Sequence, residues 1–130
     1  MDAQTRRSLL TTIGNPDGHV DYVTVLSGRL TGEGTAQALV RVRYVPDRLI
    51  LPPEVFVDYL RAVGRHDWPS LEACACAVRE DVNNELVPRW VQVVVSLPED
   101  LTGCLEHVVI LEDRQPGWDN AALLARLKPY

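Results

Sequence analysis

Apolar and polar positions alternate along this chain in stretches separated by proline- and glycine-rich breaks. Residues 21–27 are rich in β-branched side chains and alternate in part, which predicts a first strand. Residues 36–45 alternate more strictly. Ala38, Val40, Val42 and Tyr44 fall on one face and Gln37, Arg41 and Arg43 on the other, the pattern of a half-buried strand. Between them, residues 28–35 hold three glycines and predict a hairpin loop. After Pro52-Pro53 the period changes: Val55, Phe56, Tyr59, Leu60 and Val63 form one helical stripe, with Gly64 as its stop. Ser70 is a good N-cap for a second helix, whose buried stripe is Leu71, Cys74, Ala75, Val78 and Val82 and which Asn83-Asn84 and Pro88 close. Residues 89–96 and 104–111 predict two further strands, and residues 120–127 a short helix.

The order ββααββ predicts an α+β two-layer domain over residues 15–112, an antiparallel four-stranded sheet with two helices on one face. Residues 1–14 are expected as an N-terminal arm, and residues 113–130 as a C-terminal extension. Four strands leave two open edges. Joining strands between subunits would satisfy them, so a homo-oligomer with sites shared between subunits is expected.

Composition narrows the partners. A net charge of −5, with the basic residues scattered, leaves no footprint for nucleic acid. No apolar run approaches the roughly 20 residues that span a bilayer, so no membrane association is expected. The opening residues lack the apolar core of a secretory peptide. Three cysteines, Cys74, Cys76 and Cys104, are an odd set without framework spacing, which points to free thiols and a cytoplasmic location.

Four short motifs then fall in a suggestive order: Asn15-Pro16, Asp21-Tyr22, Tyr44-Val45-Pro46 and Pro88-Arg89-Trp90. Together they resemble the 7-cyano-7-deazaguanine reductases, which have the tunnelling fold, over about residues 15–95. That family carries a substrate-recognition glutamate sixteen residues before the proline of the last motif, and here that position is Glu72. A guanine-like ring presents two adjacent N–H donors that one carboxylate can accept in bidentate fashion. A helix first turn favours the ionised form. The alternative reading of Glu72 is an ordinary favourable charge at a helix start.

The departures remove the reductase chemistry. The family's nucleophilic cysteine falls at or beside Gly28, with Thr31-Gly32 as a remnant of its loop, and its proton-donating aspartate falls around Thr35 and Ala36. Its lysine-bearing nicotinamide segment is replaced by residues 52–57, and Lys128 is the chain's one lysine. NADPH is therefore not expected, no cofactor is predicted, and zinc is the one such group left open. The resemblance implies instead a ring-binding enzyme catalysing ring closure, hydrolysis or dehydration on a guanine-, pterin- or diaminopyrimidine-like substrate. A non-catalytic subunit that binds the heterocycle or associates with a partner is the alternative, and a zinc-dependent cyclohydrolase-like hydrolase is a residual one.

Candidate site residues cluster before and within the second helix. His66, with Asp67, is the candidate for moving protons, since imidazole titrates near neutrality. Arg65 and Leu71 flank the expected ring, Leu71 standing where the family has a histidine. Trp68 can stack on a heterocycle or cap the helix hydrophobically. Cys76, one turn beyond Glu72, is a candidate reactive thiol or a small buried hydrophobe. Arg41 and Arg43 could bind an anion or form ion pairs between subunits. Cys104 and His107 have a Cys-x-x-His spacing resembling the zinc motif of GTP cyclohydrolase I, which shares the fold. Regular strand alternation would point the two to opposite sides.

Overall fold

The computed structural model describes residues 2–31 and 37–130. It is an α+β arrangement around one antiparallel four-stranded sheet. In chain order the elements are α1 (Ala3–Ser8), β1 (Ile13–Gly14), β2 (Thr24–Arg29), β3 (Leu39–Val45), β4 (Leu49–Ile50), α2 (Pro53–Arg65), α3 (Leu71–Leu86), β5 (Trp90–Leu97), α4 (Glu99–Thr102), β6 (His107–Arg114) and α5 (Ala121–Ala125). The sheet order is β2-β3-β5-β6, and β1 and β4 form a separate short pair.

Alternation decides which side of each strand is buried. Val40, Val42 and Tyr44 of β3 and Val91, Val93 and Val95 of β5 point to one face. There they join Phe56, Tyr59, Leu60 and Val63 of α2 and Leu71, Cys74, Val78 and Val82 of α3 in a single core. The two long helices start as their sequences dictate. Pro53 occupies the first turn of α2, where its missing N–H costs nothing. The Ser70 side chain accepts from the Ala73 N–H at 3.0 Å and so caps α3. Helix α3 runs past Asn83-Asn84 to Leu86, and Val87 closes it in the left-handed region at φ 46°.

The expected N-terminal arm is partly helical. Helix α1 packs on α3 and α2, and its Arg6 is buried. Arg6 Nε lies 2.9 Å from Asp81 Oδ2, Arg7 Nε 2.8 Å from Asp81 Oδ1, and the Tyr59 hydroxyl donates to Asp81 Oδ2 at 2.6 Å. The last strand also differs from expectation. Pro98 opens a short helix, α4, which ends at Gly103 with φ 85°, so Cys104 lies in the coil and β6 begins at His107. The expected loop over 28–35 and the positions Gly32, Thr35 and Ala36 fall wholly or partly outside the described residues. Among the described residues, no helix is long and apolar enough to cross a membrane.

Candidate functional site

Glu72 stands in the first turn of α3, exposed to solvent, and its Oε2 lies 3.1 Å from His107 Nε2 at the start of β6. The approach follows from the packing of α3 along β6. His107 has the same strand parity as Val109 and Leu111, which pack against the core, so it points toward the helices. Further along the same pair of elements, Asn83 Nδ2 donates to Asp113 Oδ2 at 3.0 Å. Glu72's carboxylate is held below the usual range, first by its own backbone N–H and then by His107. It is therefore ionised at neutral pH and ready to accept.

Sequence reasoning paired His107 with Cys104 rather than with Glu72. The signal that could have found the pair is the run His107, Val109, Leu111, which marks the helix-facing side of the strand. Cys104 is exposed in the coil before β6. Among the described residues, no group of three His, Cys, Asp or Glu side chains is placed to hold a metal ion.

The link between α2 and α3 holds the other candidates. His66 caps α2, its N–H donating to the Val63 carbonyl at 3.2 Å, and its ring lies 4.2 Å from the Trp68 ring. Trp68 donates through Nε1 to the Val63 carbonyl at 2.9 Å, and the Arg6 guanidinium lies 5.3 Å from its ring centroid. Two side chains already lie against that indole, which suits the helix-capping alternative. Arg65 and Asp67 are exposed beside it. Leu71, expected beside the ring, is 1 % exposed inside the core and cannot contact a ligand there. Its stripe of apolar neighbours on α3 explains the burial. Cys76 is exposed, whereas Cys74 is buried and its thiol is pushed up to about 11 by desolvation.

Gly28 stands in β2 against α2. A Cβ at Gly28 would come within 2.4 Å of Leu60 Cδ1, so any side chain there forces Leu60 to turn away. The remaining motif residues meet elsewhere, at the other end of the sheet. Arg89 reaches Asp21 Oδ1 at 2.9 Å, the Gly18 carbonyl at 2.6 Å and Asp47 Oδ1 at 3.2 Å. The Tyr22 hydroxyl donates to Asn15 Oδ1 at 2.6 Å, and Asn15 Nδ2 to the Asp47 carbonyl at 2.8 Å. These residues tie the N-terminal turn to the start of β5, a structural task. Compared with family models and with curated proteins, the chain matches none.

Proposed function

We propose that this chain is a tunnelling-fold protein that binds a guanine-, pterin- or diaminopyrimidine-like ring and acts on it by ring closure, hydrolysis or dehydration. One observation carries the reading: an exposed, ionised carboxylate, Glu72, at the start of a helix and in contact with the His107 imidazole. Such a carboxylate can accept two adjacent ring N–H groups, and the free N–H groups of the helix start favour its charge. His107 then holds it in one orientation, and either His107 or His66, with Asp67, is available to move a proton.

Ring selectivity tests this directly. Guanine should bind at least about tenfold more tightly than hypoxanthine, which lacks the exocyclic amine and leaves one carboxylate oxygen without a donor. Equal affinities for the two purines would overturn the reading. A non-catalytic binder is the second reading, favoured by the packing of His66 against Trp68. Binding without consumption of the ring would select it.

In this reading the edge strands β2 and β6 pair with neighbouring copies, and a neighbouring subunit completes the pocket around Glu72. Light scattering should then give a solution mass that is a multiple of the 14.5 kDa chain. A monomer at all concentrations would contradict the shared site.

A further inference from the structure

Among the described residues, the sheet face turned away from α2 and α3 is covered at one end. There the closing residues of the chain lie across it. Arg43, 7 % exposed, donates through Nη1 to the Lys128 carbonyl at 2.5 Å and through Nε to Gln92 Oε1 at 2.8 Å. Toward the other end the same face opens into a cavity of about 530 Å³.

Strand register dictates what lines this cavity. Ser27 pairs with Arg41 and Arg29 with Leu39, so β2 and β3 bring Arg29 and Arg41 to one face at diagonal positions. Leu39, Val94 and Val108 supply apolar surface beside them, and Tyr130 forms a wall. The Arg41 Nε donates to Ser27 Oγ at 3.1 Å. Among the described residues, neither arginine has a carboxylate partner. Glu106 lines the β6 side, three strand spacings or about 14 Å from β2.

The geometry points to a binding site for a small ligand that joins an oxyanion, carboxylate or phosphate, to a flat apolar body. A guanidinium presents a planar fork that matches either oxyanion. Two like charges on neighbouring strands repel, and an anion between them relieves that repulsion. The volume lies within the range of about 300–1,000 Å³ found for small-molecule sites, and the surface between the arginines and Glu106 is mostly apolar, with the Ser96 hydroxyl among Leu39, Val94 and Val108. This site is on the opposite side of the sheet from Glu72, and it does not depend on the ring-binding reading.

Calorimetry with phenyl phosphate and benzoate tests it, with inorganic phosphate and phenol as the divided halves of the ligand. At least one of the joined probes should bind about tenfold or more tightly than either half, and the tighter of the two names the oxyanion. Arg41→Gln should weaken that binding by about tenfold or more, and Val108→Trp, which fills the cavity without touching charge, should weaken it as well. Glu72→Gln should leave it unchanged. The proposal is overturned if neither joined probe binds, if either half binds as tightly as the whole, or if both cavity variants keep wild-type affinity with an unaltered circular dichroism spectrum.

Discussion

Asp81 accepts hydrogen bonds from three side chains, Arg6, Arg7 and Tyr59, and is fully buried. Burial, with Asp81 beside it, pushes the Tyr59 hydroxyl well above its ordinary value, so it remains a donor. Replacing Asp81 by Asn keeps the volume but leaves the buried Arg6 without its counter-charge. The expected loss is about 3–5 kcal/mol in urea unfolding, since removing one partner of a buried pair strands the other. A loss below about 0.5 kcal/mol, the range of an ordinary surface substitution, would contradict this role. Nothing near Asp81 in the sequence announces the cluster. Two of its members lie 75 and 22 residues away, and only packing brings them together. The place of Glu72 in the first turn of α3 was legible because Ser70 marks that helix start locally. Leu71 lies in the core, as its place in the apolar stripe of α3 dictates, where the family comparison sets a polar residue.

At the scale of elements, periodicity was the reliable guide. Helix α2 follows a strong 3.6-residue pattern and β3 alternates, while α3 carries a weaker stripe and β5 is a largely continuous apolar run buried on both faces. Helix α1 was missed because its six residues are mostly polar and its stability comes from docking on α3. The last strand begins three residues later than its apolar pattern suggests, because Pro98 and Gly103 start and stop α4 in the intervening stretch. The closing segment is held by Asp21, whose carboxylate accepts from Trp118 Nε1 at 3.2 Å and Asn120 Nδ2 at 3.0 Å. Burial would raise its pKa, but the hydrogen bonds from Asn120, Arg89 and Trp118 outweigh that, and the net shift is downward. Because the folded value lies below the unfolded one, the stabilisation is complete above about pH 4 and is lost as pH falls through the folded value. Hydrogen-exchange protection factors over residues 118–127 should therefore fall in acid. In Asp21→Asn they should already be low at neutral pH. Protection that is the same in both proteins and across the range would contradict the assignment.

For the molecule as a whole, the sixteen-residue interval between Glu72 and Pro88 has a simple physical meaning: it runs from the second residue of α3 to two residues past its end at Leu86, so it is set mainly by the helix. The motifs that mark the far end of that interval build the junction around Arg89, while Glu72 and His107 stand at the opposite end of β5 and β6. The motif spacing therefore reports the framework, and the ring-binding reading rests on the carboxylate itself. Calorimetric titration of Glu72→Gln with 2-amino-4-hydroxypyrimidine, the isolated recognition edge of guanine, addresses that carboxylate alone. The substitution keeps the side chain's size and helix position while replacing one acceptor oxygen with a donor. The wild-type protein should bind this edge and the variant should lose about tenfold or more in affinity, as expected when a charged bidentate acceptor is removed. Equal affinity in the two proteins would contradict Glu72 as the anchor.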